Sequence, residues 1–91
     1  MTIEPVLRAV LENILLSVEA PGLHPLTSDS NLYENLDSLT VVDMLLDAEM
    51  QLEQATGRYI TLAGETIFDA SKSPLRSWAG WVAYVEAKHA R

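Results

Sequence analysis

Apolar residues recur at spacings of three and four from Ile3 through Val6, Leu7, Val10, Leu11, Ile14 and Leu15 to Val18. That spacing puts them on one face of a helix and predicts a first element over about 3–18, with Thr2 as its N-cap and Pro5 tolerated in the first turn. Pro21, Gly22 and Pro25 end it. A loop over about 20–36 follows, rich in Pro, Ser, Asp and Asn, with Leu23, Leu26, Leu32 and Leu36 spaced to pin it to a core. Connections of this length commonly carry function or a short helical turn. A second helix is expected over about 38–56, capped by Asp37 and closed by Gly57. A short helix is expected around 62–69 despite Gly64. Ser73-Pro74, a cap followed by proline at the first helical position, predicts a last helix over about 74–88. Its Leu75, Trp78, Trp81, Val82 and Val85 fall on one side. No run alternates as a strand would, so the expected fold is all-α: a single domain, 1–91, forming a small bundle of three to four helices with a long loop between the first and second.

Charge narrows the range of partners. The 91 residues carry 13 Asp plus Glu against 6 Lys plus Arg, a formal net charge of −7. Phosphates would be repelled, which argues against nucleic acid and against an anionic membrane surface. Nine of the acids (Glu12, Glu19, Asp29, Glu34, Asp37, Asp43, Asp47, Glu49 and Glu53) lie between Arg8 and Arg58, a stretch with no Lys or Arg at all. A basic partner meeting the middle of the chain is the natural reading. The absence of cysteine excludes a disulfide framework, a thiolate zinc site and a cysteine nucleophile. Apolar stretches are interrupted by charge well short of a membrane span and no basic leader stands at the N-terminus, so a cytoplasmic, monomeric protein without membrane insertion is expected.

The second helix is unusual in having two apolar faces. On a wheel turning about 100° per residue, Val41, Met44, Leu45, Ala48 and Leu52 form a broad face suited to a core. Opposite them Leu39, Val42, Leu46 and Met50 form a narrower stripe, flanked by Asp43 and Asp47 on one side and by Glu49 and Glu53 on the other. Either the helix is sandwiched and both faces are core, or the stripe is exposed and its acids steer a partner onto it. The carboxylate pairs have no further convergent ligand, so no metal site is expected.

At the head of this helix stands Asp37-Ser38-Leu39. A serine at the first helical position lies beside unpaired backbone N–H groups, and a phosphodiester there would meet the positive end of the helix dipole. His24 and His89, the only histidines, have no triad spacing to it, so Ser38 is placed to receive a group rather than to catalyse. Here the chain resembles the acyl carrier protein family, whose Asp-Ser-Leu motif carries 4′-phosphopantetheine on the serine. Leu32 and Leu36 upstream are similar to the family's apolar pair, and Leu52-Glu53, Gly57 and Ile60 to its helix end and following turn. The family usually has a glycine and one further residue between the upstream leucine and the motif; here Leu36 runs straight into Asp37, so either the loop is tighter or the helix starts differently. Thr61 to Pro74 also departs from the family's pattern, so the resemblance is to a divergent, specialised member.

The resemblance implies an acyl-carrier-like bundle and a protein that is not itself an enzyme. A phosphopantetheinyl transferase would attach 4′-phosphopantetheine to Ser38, within the motif of Asp37 and Leu39. Its thiol would hold an acyl group as a thioester for fatty-acid, polyketide or related biosynthesis. Leu39, Val42, Asp43 and Leu46 match the family's usual partner-facing positions, with Asp47, Glu49, Met50 and Glu53 adjacent. The partners would be a loading ligase or transferase and downstream synthases with basic docking patches. Two alternatives stand beside this: an aminoacyl or peptidyl carrier, and an unmodified helical adaptor that binds a basic partner through the same helix. Trp78 and Trp81 read as core or core-edge residues, with the lining of an acyl pocket as their alternative.

Overall fold

The computed structural model describes residues 3–90, and Thr2, the expected first N-cap, lies outside them. Four α-helices form a small bundle, with no strand among the described residues: α1 (Ile3–Ile14), the single turn α2 (Leu32–Asn35), α3 (Ser38–Thr56) and α4 (Trp78–His89). α3 is the longest helix, and α1 packs mainly on it and secondarily on α4. Ile3, Leu7 and Leu11 of α1 meet Val41, Met44, Leu45, Ala48 and Leu52 of α3 and Trp78, Trp81 and Val85 of α4 in one core. The four loop leucines were expected to anchor the long connection; Leu23, Leu32 and Leu36 are buried in this core and Leu26 packs against it.

α1 is shorter than the 3–18 expected from its periodicity. Beyond Ile14 the amides of Leu16 and Ser17 reach back three residues instead of four, to Asn13 and Ile14. The Ser17 hydroxyl also approaches the Ile14 carbonyl at 3.4 Å, a local competitor to the helical pattern. This loosened turn leaves Leu16 84% exposed and lets the chain descend to the buried Ala20 and Leu23. The long loop contains a 3-10 turn (Pro21–Leu23) as well as α2, which Asn31 caps by accepting the Glu34 amide at 2.9 Å.

α3 matches the expected 38–56 at both ends. Asp37 accepts the Thr40 amide at 2.8 Å, and Gly57 closes the helix at φ +77°, a left-handed conformation that favours glycine.

The helix expected at 62–69 does not form. Isolated turns, from the Ile67 amide to Gly64 and from the Asp69 amide to Thr66, replace it within an irregular strap that buries Ile60, Leu62 and Ile67. Side chains from three helices satisfy its backbone. Glu49 of α3 accepts the Leu62 amide at 2.7 Å, Tyr84 of α4 donates to the Leu62 carbonyl at 2.8 Å, and Tyr33 of α2 donates to the Phe68 carbonyl at 2.9 Å. These tertiary bonds, with a helix-weakening glycine at 64, take the place of a local ladder.

The last helix also begins later than the expected 74. Ser73 caps only a 3-10 turn (Pro74–Arg76), and the chain then extends through Ser77, which caps α4 by accepting the Gly80 amide at 2.9 Å. The Ser28 carbonyl of the long loop takes the Ala79 amide at 2.9 Å, so a tertiary contact supplies a partner in the first turn. A Cβ at Gly80 would meet the Pro74 carbonyl oxygen at 3.1 Å, so the glycine permits this close turn.

Candidate functional site

α2 and α3 are joined by two residues in extended conformation, Leu36 (φ −123°, ψ 138°) and Asp37 (φ −76°, ψ 169°). Leu36 is buried and returns its amide to Leu32 at 3.1 Å, which locks the approach to α3. Of the two outcomes expected from Leu36 preceding Asp37 directly, this is the tighter loop, and it is made without a glycine. Ser38 then occupies the first position of α3. It is exposed, and its hydroxyl makes no hydrogen bond among the described residues. The Asp37 carboxylate is committed to the Thr40 amide, and that backbone bond holds it below the usual aspartate range, ionised at neutral pH. The serine is therefore accessible, at a capped helix N-terminus whose aligned amides favour a phosphate group.

The outer stripe of α3 faces solvent. Leu39 is 71% and Leu46 60% exposed, and Val42 and Met50 are exposed as well. The sandwiched alternative is thereby excluded. From Leu39 to Met50 the stripe runs about 16 Å along the helix, starting one residue after Ser38. Four apolar side chains in one line are thus left uncovered on a small domain. Asp43 and Glu53 are exposed and Asp47 is half-buried, all beside the stripe.

Glu49 does not belong to that surface. It is only 5% exposed and points into the strap, accepting from Leu62 N at 2.7 Å, Ala63 N at 3.4 Å and the Tyr59 hydroxyl at 2.8 Å. Helical spacing from Asp43 and Glu53 placed it at the rim; the strap, which no periodicity announced, folds over it and uses its charge. The Tyr59 phenol, donating to this carboxylate, is pushed above its ordinary value, first by that hydrogen bond and then by the negative charge. The acidic rim of the stripe is therefore lopsided, with Asp43 and Asp47 on the α1 side and only Glu53 on the strap side.

Trp78 and Trp81 are core residues. Trp81 stacks on Tyr84 with ring centroids 5.9 Å apart, and the Trp78 indole N–H donates to Glu4 at 3.0 Å while Arg8 lies over its ring. Trp78 is 3% and Trp81 1% exposed, as the core reading of the two expected. A mainly apolar groove runs between α1 and the C-terminal half of α3, a feature no sequence motif indicated. Among the described residues no group of three or more His, Cys, Asp or Glu could hold a metal ion, and no helix is long and apolar enough to cross a membrane.

No family model, curated protein or solved structure matches this chain.

Proposed function

We propose that this chain is a cytoplasmic acyl carrier protein, modified at Ser38 with 4′-phosphopantetheine and docking its partner enzymes through the exposed stripe of α3. The observation that carries the reading is the juxtaposition of an unengaged, solvent-facing Ser38 at a capped helix N-terminus with an apolar stripe beginning at the next residue. Attachment would form a bond from the Ser38 oxygen to the β-phosphorus of coenzyme A. The bond to 3′,5′-ADP would break, and the hydroxyl proton would pass to a base of the transferase. The exposed hydroxyl leaves room for that attack, and the helix dipole would stabilise the resulting phosphodiester by about 0.3–1 kcal/mol. Its thiol would carry the cargo as a thioester. The chain's own share would be to hold the arm beside Leu39 and Val42 and to dock enzymes through Leu46, Met50 and the steering charges of Asp43, Asp47 and Glu53. Chemistry would reside in the partners, and a basic docking patch on them would complement this rim.

Co-expression with several promiscuous phosphopantetheinyl transferases, followed by intact-mass measurement, tests the proposal. Wild type is expected to gain one phosphopantetheine and Ser38→Ala none. A wild type without mass gain would overturn the carrier reading in favour of an unmodified helical adaptor, which the same exposed stripe supports. A gain that survives Ser38→Ala would overturn the site.

A further inference from the structure

Burial of Glu49 makes the charge around α3 one-sided, and the side that keeps its acids borders a second apolar feature. An open groove of about 680 Å³ lies between α1 and α3, lined by Val6, Ala9 and Asn13 from α1 and by Asp47, Gln51 and Ala55 from α3. At about 100° per residue, Asp43 falls on α3 between the Leu39–Met50 stripe and this groove, and Asp47 at the groove's edge. Glu12 stands exposed on α1, one turn from Ala9. None of Glu12, Asp43 and Asp47 makes an ion pair among the described residues. No basic side chain lines the groove, and Arg8, the nearest base in α1, is taken up by Glu4 at 3.4 Å and by the Trp78 ring.

We infer that the α1–α3 groove is a docking site for a basic amphipathic helix of a partner protein. The shape favours a helix. Lining residues span 5 to 13 on α1 and 47 to 55 on α3, about 12 Å on each, the length over which a helix presents apolar residues at i, i+3 or i+4 and i+7. Ala9 and Ala55 let a third helix backbone approach closely. A helix satisfies its own backbone groups, and the described residues contain no strand whose edge an added strand could extend. The charge favours lysine or arginine flanking the apolar contacts: Asp47 lines the groove itself, and exposed Asp43 lies one turn before it on α3. The groove thus widens the docking surface toward α1, away from the strap, and its use does not depend on modification of Ser38.

The test uses the unmodified protein and a fluorescently labelled leucine–lysine helical peptide of about 14 residues, read by anisotropy. Saturable binding is expected, weakened at least about tenfold by Ala9→Trp, which fills the groove, and by Ala55→Lys, which also opposes the charge, with Phe68→Ala, an exposed apolar side chain of the strap, within about twofold of wild type. Both groove positions are exposed, and circular dichroism on the same samples reports folding. In wild type the amide resonances of Ala9, Asn13, Gln51 and Ala55 should shift on titration while that of Leu39 stays, which keeps the test decisive if a variant misfolds. Absence of saturable binding would overturn the inference. So would binding sensitive to Phe68→Ala alone, equal binding of a leucine–glutamate peptide, or a self-associated dimer dispersed by Ala9→Trp.

Discussion

Replacing Glu49 by alanine removes the acceptor that ties the strap to α3. The Leu62 amide it receives at 2.7 Å belongs to a fully buried residue, so no water replaces the lost partner. An orphaned buried N–H costs about 1–3 kcal/mol, and a hydrogen bond to a charged acceptor contributes about 1.5–3 kcal/mol. Against this, removing a buried carboxylate relieves its own desolvation. The expected net loss is about 2–3 kcal/mol, which for a domain of this size lowers the melting temperature by about 10–20 °C. Glu49→Gln keeps an oxygen acceptor and the same length, so its loss should be about 1 kcal/mol. Denaturant titration of the three proteins measures these differences, and amide exchange at Leu62 localises them: protection there should fall first in Glu49→Ala. Stability of Glu49→Ala within about 0.5 kcal/mol of wild type, or equal losses for alanine and glutamine, would refute the argument.

Gly57→Ala should cost about 1–2 kcal/mol by thermal unfolding: a Cβ there meets nothing within 4 Å, so the penalty is purely the left-handed φ of +77°. Leu62→Ala, which empties a fully buried site under the strap, should cost about 2–5 kcal/mol in denaturant titration. Acid should lower the stability along a defined limb. The indole of Trp78 lowers the Glu4 pKa, the Thr40 amide that of Asp37 and the Ser71 hydroxyl that of Asp69, so the stability each adds is present above its ordinary value of 4.5 or 3.8 and is lost as pH falls through the lowered one. Asp37→Asn, which keeps the cap without the charge, should flatten part of that limb in a pH series of melting temperatures. In alkali the sign reverses. The Tyr59 value is raised, so its contribution holds below 10.0 and is lost as pH rises through the raised value; the difference absorbance titration between wild type and Tyr59→Phe should lie above that of free tyrosine.

Local rules sufficed where a structure is local. The α3 boundaries follow from Asp37 and Gly57, because a cap and a C′ glycine act within one turn, and the all-α class follows from helical spacing of apolar residues. The two faces of α3 were equally legible, since periodicity places side chains around an axis. Which face met solvent was not, because that depends on what packs against it. Periodicity overran the end of α1 because it reads which residues are apolar and not where the chain must turn. The 62–69 helix failed for a related reason: Glu49, Tyr84 and Tyr33, remote in sequence, bind the backbone that a local ladder would have used. By itself, then, the sequence determined the helical class, the position of Ser38 at the head of α3 and the two apolar faces beside it, all properties of residues a few positions apart. Only tertiary structure decided that the outer stripe is exposed, that Glu49 turns inward to hold the strap, and that a groove opens between α1 and α3. Burial and hydrogen bonding between distant segments are set by the fold as a whole.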